Sequence, residues 1–142
     1  MGLDALVYRN RSAIRQMIGD REVDGVTGEP LLDETKNEPE LMAKCISMER
    51  RLGNAASVGE IHWILTEWGR LNEDGILMNR ILSSASHAGD FIPFNDLHGL
   101  LSELLEVKSS HLYTHNLIKE FVDEMSALCF AAQKEKNPIV FV

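Results

Sequence analysis

Asn137-Pro138-Ile139-Val140-Phe141-Val142 is the stretch that decides the fold. Pro138 stops the helical pattern before it, because a proline interrupts the hydrogen-bond ladder of a helix. The β-branched and aromatic run behind it reads as a strand. Left unpaired, a strand of that hydrophobicity is a template for aggregation, so it needs a partner within the chain. Leu3-Asp4-Ala5-Leu6-Val7-Tyr8 is the other strongly β-like segment, and Arg9-Asn10-Arg11-Ser12 reads as where it ends. Pairing the two brings both chain ends into one small sheet. The expected fold is therefore α+β and predominantly helical: one domain over residues 1–142, about four to five helices, and a small sheet joining the N- and C-terminal strands.

The apolar spacing between the two strands is helical. Leu112, His115, Ile118, Phe121, Val122, Met125, Leu128 and Cys129 recur at three and four residues and predict a helix from about Ser110 to Lys134. Leu97, Leu100, Leu101, Leu104 and Leu105 predict another, capped by Asn95 or Asp96 and running to about Val107. Before it stand a small-residue loop, Ser83–Asp90, and an apolar clip, Phe91-Ile92-Pro93-Phe94. A helix is expected from about Ser57 to Leu71, burying Val58, Ile61, Trp63 (or His62), Ile64, Leu65 and Trp68, with Gly69 as its weak point. Asn72-Glu73-Asp74 then caps a further helix holding Ile76, Leu77, Ile81 and Leu82. Pro39 suits a first helical position, and Leu41, Met42, Cys45, Ile46, Met48 and Leu52 trace a stripe that Gly53 ends. A short helix over Ser12–Ile18 carries Ile14, Met17 and Ile18. Residues 19–40, with Gly19, Gly25, Gly28, Pro30 and Pro39, read as an acidic hairpin or loop excursion.

The 142 residues carry a net charge of −8. Duplex binding depends on clustered cations that neutralise phosphates, so nucleic acid is not an expected partner. No run approaches the length of a membrane span, and Met1-Gly2-Leu3-Asp4 lacks the basic and apolar regions of a signal peptide. A cytoplasmic protein is expected. Cys45 and Cys129 lie far apart among apolar neighbours and read as buried thiols. The acidity is uneven. Residues 20–40 hold Asp20, Glu22, Asp24, Glu29, Asp33, Glu34, Glu38 and Glu40 against Arg21 and Lys36. Such a concentration reads as a device for solubility or, more sharply, as one that steers a basic partner into contact, with Glu29, Asp33, Glu34 and Glu38 as the expected long-range contacts.

Motifs of catalysis are missing: neither a phosphate-binding glycine loop nor a nucleophile elbow occurs. His111 and His115 stand four apart, a spacing that could serve a metal, but the second falls on the apolar stripe and no cofactor or metal is expected. His87 and Asp90 share the glycine-containing loop, as a binding site or a structural turn. Arg51 and Asn54 offer an anion clamp and a hydrogen-bonding positioner, or a surface ion pair and a cap.

Met1-Gly2-Leu3-Asp4-Ala5, Arg51-Leu52-Gly53-Asn54, His87-Ala88-Gly89-Asp90 and Asn137-Pro138-Ile139-Val140-Phe141-Val142 together resemble a family of uncharacterised small bacterial proteins. The opening is also similar to that of small phage proteins. The resemblance implies a small single-domain cytoplasmic protein and raises the prospect that Arg51, Asn54, His87 and Asp90 form one arrangement. The resulting functional expectation is a non-catalytic, acidic binding protein of the immunity-protein or antitoxin kind, blocking a basic toxin domain. The alternatives are a homo-oligomeric structural or regulatory domain, dimerising through the terminal strand or an exposed tryptophan, and a small ligand-binding enzyme built on those four residues.

Overall fold

The computed structural model describes residues 2–32 and 38–142. Along the chain come β1 (Gly2–Tyr8), α1 (Arg11–Ile18), α2 (Pro39–Cys45), β2 (Ile46–Asn54), α3 (Ala55–Trp68), a π-helical turn (Ile76–Ile81), β3 (Phe91–Ile92), α4 (Leu97–Lys108), α5 (Asn116–Glu135) and β4 (Ile139–Phe141). The strands form one antiparallel sheet in the order β2-β1-β4-β3. β1 and β4 meet with Ala5 opposite Phe141 and Leu6 opposite Val140, so the terminal segments do close a common sheet.

β1 explains the layering. Leu3, Ala5 and Val7 point into the larger core, against α3, α4, α5 and the π turn. Leu6 and Tyr8, with Val140, point the other way, into a smaller core with Ile14, Ile18 and Cys45. A strand buried on both faces reads as a continuous apolar run, which is what Leu-Val-Tyr at positions 6–8 supplies. The sheet thus has helices on each side. No helix among the described residues is long and apolar enough to cross a membrane.

Several local expectations change. The helix expected from Pro39 to Leu52 stops at Cys45, and residues Ile46–Asn54 are the strand β2, running the length of β1. β4 covers only part of the other side of β1, and a buried strand leaves no backbone group unpaired without cost; β2 satisfies the remaining edge. Gly53 therefore lies in a strand, at φ 154°, and ends no helix. α3 starts two residues earlier than expected. It ends at Gly69, whose left-handed φ of 70° makes it the cap.

The helix expected after Asn72 is instead a π turn, closed by Leu82 N–H donating to the Leu77 carbonyl at 2.9 Å. Asn72 holds the preceding turn by accepting from Asp74 N–H at 2.9 Å. The long last helix is broken as well. Ser110 Oγ accepts from Leu112 N–H at 3.1 Å and starts a 3-10 turn over His111–Thr114, after which α5 begins. His115 is consequently exposed at the junction rather than buried on a stripe. His111 and His115 do not share one helix face.

Within residues 19–40 the described part folds back as a small hairpin. Val23 bridges Pro30, and Asp24 N–H donates to the Glu29 carbonyl at 2.8 Å.

Candidate functional site

The acidic excursion is held by its own polar groups. Asp24 Oδ1 accepts from the N–H groups of Val26 (2.8 Å) and Thr27 (2.9 Å), and these bonds hold its carboxyl below the usual range. Glu38 pairs with Arg21. Glu29 is exposed, as are Asp20, Glu22 and Glu40, and none of the four has an ion pair among the described residues. Asp33 and Glu34 lie outside the described residues. Burial first, then the carboxylate of Glu29 and that of Glu49 on β2, push the Tyr8 hydroxyl up to about 12.

The four residues suggested as one arrangement are divided by the sheet. Arg51 and Asn54 belong to the edge strand β2. His87 and Asp90 precede β3, at the far edge. Three strand spacings, roughly 14 Å, separate the two edges. Asn54 serves as the N-cap of α3: its Oδ1 accepts from Ser57 N–H at 2.9 Å, while Ser57 Oγ accepts from Asn54 N–H at 2.9 Å. Arg51 is exposed beside β1, opposite Asp4.

His87 and Asp90 do meet. His87 Nδ1 lies 3.2 Å from Asp90 Oδ2, and Nε2 lies 2.8 Å from the Ile81 carbonyl. Both neighbours are acceptors, so both contacts are hydrogen bonds only when the imidazole carries hydrogen on both nitrogens. The ring also tilts against Phe141, with centroids 5.7 Å apart. Gly89, at φ 93°, donates its N–H to the Phe141 carbonyl, and Phe141 N–H donates to the Asp90 carbonyl, both at 2.9 Å. These contacts are those of a turn that delivers β3 to β4. An open cleft of about 360 Å³ lies beside it, lined also by Asn79 and Arg80.

A cleft of about 770 Å³ opens between the last turns of α3 and α4. Its walls include Trp63, Trp68, Glu67, Arg70, Glu106 and His111. Trp68 packs against the main core, whereas Trp63 is 63% exposed and not buried with its helix neighbours. Five positions along a helix turn the two indoles about 140° apart, which is the sequence signal for this surface. Sequence spacing gave no sign that the end of α4 forms the opposite wall.

Both thiols are free and buried; burial raises that of Cys45, and pushes that of Cys129 up to about 12, which leaves neither a ready nucleophile. Among the described residues no group of three His, Cys, Asp or Glu side chains could hold a metal ion. No family model matches the chain, and no curated protein and no solved structure matches it either.

Proposed function

We propose that this chain is a non-catalytic, acidic binding protein that holds a basic protein partner in the cytoplasm, in the manner of an immunity protein or antitoxin. The observation that carries the reading is the unpaired acidity of the excursion: Asp20, Glu22, Glu29 and Glu40 stand exposed without ion pairs among the described residues. Carboxylates placed so accelerate encounter with a basic surface. The exposed indole of Trp63, with Glu67 and Glu106 in the same cleft, adds a site for an arginine or lysine of that partner to stack upon.

Affinity capture from the native host followed by binding kinetics tests the reading. Reversing Asp20, Glu22, Glu29 and Glu40 to lysine lowers the association rate about tenfold or more at low ionic strength and flattens its salt dependence. Trp63→Ala acts mainly on dissociation, speeding it about tenfold or more if the indole is an anchor. An association rate untouched by the four reversals removes the excursion from the mechanism.

A further inference from the structure

The two edges of the sheet are unequal. β3 offers two residues, whereas β2 runs for nine, and among the described residues no strand pairs with its outer side. A long open edge is a template for another strand. We infer that β2 pairs with the β2 of a second copy of this chain, antiparallel about a two-fold axis at Arg50.

Charge selects the occupant and the register. A two-fold axis through one residue sets positions equally distant on either side of it opposite one another. With the axis at Arg50, Glu49 of each copy faces Arg51 of the other, so the pair forms twice. With the axis at Glu49 two carboxylates face each other. With the axis at Arg51 two guanidiniums do, and Glu49 falls opposite Gly53. Axes at Met48 or Leu52 match no opposite charges. Neither Glu49 nor Arg51 has an ion pair among the described residues.

The remaining contact, Arg50 against Arg50, is balanced from within. Arg50 Nε lies 2.8 Å from Glu124 Oε2 on α5, and Arg50 Nη1 donates to the Glu49 carbonyl at 2.8 Å. That Glu124 oxygen is buried beside the Arg50 guanidinium. In the dimer two arginines and two glutamates alternate around the axis, each guanidinium keeping its own carboxylate beside it. Register irregularities against β1, at Leu3/Asp4 and at Val7/Tyr8, bracket the regular stretch Met48–Arg51, so that regular edge pairing about Arg50 is confined to Glu49–Arg51. So short an interface makes a reversible dimer, not a permanent one.

Sedimentation velocity of the full chain over a concentration series, at about 0.15 M salt, tests the inference. Exchange between monomer and dimer is expected. Glu49→Arg and Arg51→Glu each weaken the dimer about tenfold or more, because symmetry turns two attractive contacts into two repulsive ones. The double variant E49R/R51E restores the wild-type constant to within about threefold. Far-ultraviolet circular dichroism of the three variants confirms that each is folded. A chain monomeric up to about 1 mM, a dimer indifferent to either reversal, or a double variant that fails to recover would each overturn the inference.

Discussion

Glu103 reaches across from α4 to cap the π turn. Its Oε1 accepts from Ile76 N–H at 3.0 Å and its Oε2 from Leu77 N–H at 3.4 Å. Glu103→Ala strands those donors and is expected to cost about 1–3 kcal/mol in urea denaturation. Burial raises the carboxyl of Glu103 against the opposing pull of the two backbone bonds. The folded chain therefore binds that proton more tightly than the unfolded chain does. Its contribution grows as pH falls from above the raised folded value toward the ordinary 4.5, and is lost as pH rises through the folded value. Subtracting the stability profile of Glu103→Gln from that of the wild type isolates this slope; a difference that rises with pH there would contradict the burial of the charge. Glu135 is a second carboxylate that nothing in its Lys134-Glu135-Lys136 setting announces. It is 6% exposed, accepts from Asn10 N–H at 2.7 Å, and so ties the end of α5 to the start of α1.

At the level of elements, α3 depends on a reciprocal cap. Asn54→Ala removes one of its two bonds and is expected to cost about 1 kcal/mol by thermal or chemical unfolding, with Ser57→Ala costing a similar amount. α3, α4 and the terminal strands were legible in the sequence because each carries its own local signal: a stripe at helical spacing, or an apolar run beside a proline. β2 was not. Ile46, Met48 and Leu52 fit a helical stripe as well as a bulged strand, and the decision between them rests on β1, some forty residues away in sequence and in need of a partner along its second edge. The same non-local choice hid the separation of Arg51 and Asn54 from His87 and Asp90, since β1 and β4 lie between their strands. His87 and Asp90, three apart, were legible as a pair, and a turn is the structural role their contacts fill.

Taken as a whole, the molecule is a sheet with a large core on one face and a small one on the other, and β4 serves both: Ile139 and Phe141 enter the larger cluster, Val140 the smaller. This placement withdraws β4 as an interface with a second copy, since β1 and β3 already flank it. Phe141 is 1% exposed. Phe141→Ala is expected to destabilise the fold by about 3–5 kcal/mol in equilibrium denaturation, and it also removes the ring against which His87 rests. A loss under about 1 kcal/mol would mean that the strand is dispensable to both cores.

The placement of β4 beside β1 also governs the order in which the protein can be made. Its pairing joins Ala5 to Phe141, so a nascent chain emerging from the ribosome shows β1 long before it shows the strand that completes it. At synthesis rates of about 5–20 residues per second, one flank of the first strand stays bare for roughly seven to twenty-seven seconds, an interval in which an apolar Leu-Val-Tyr segment must be kept from other nascent chains.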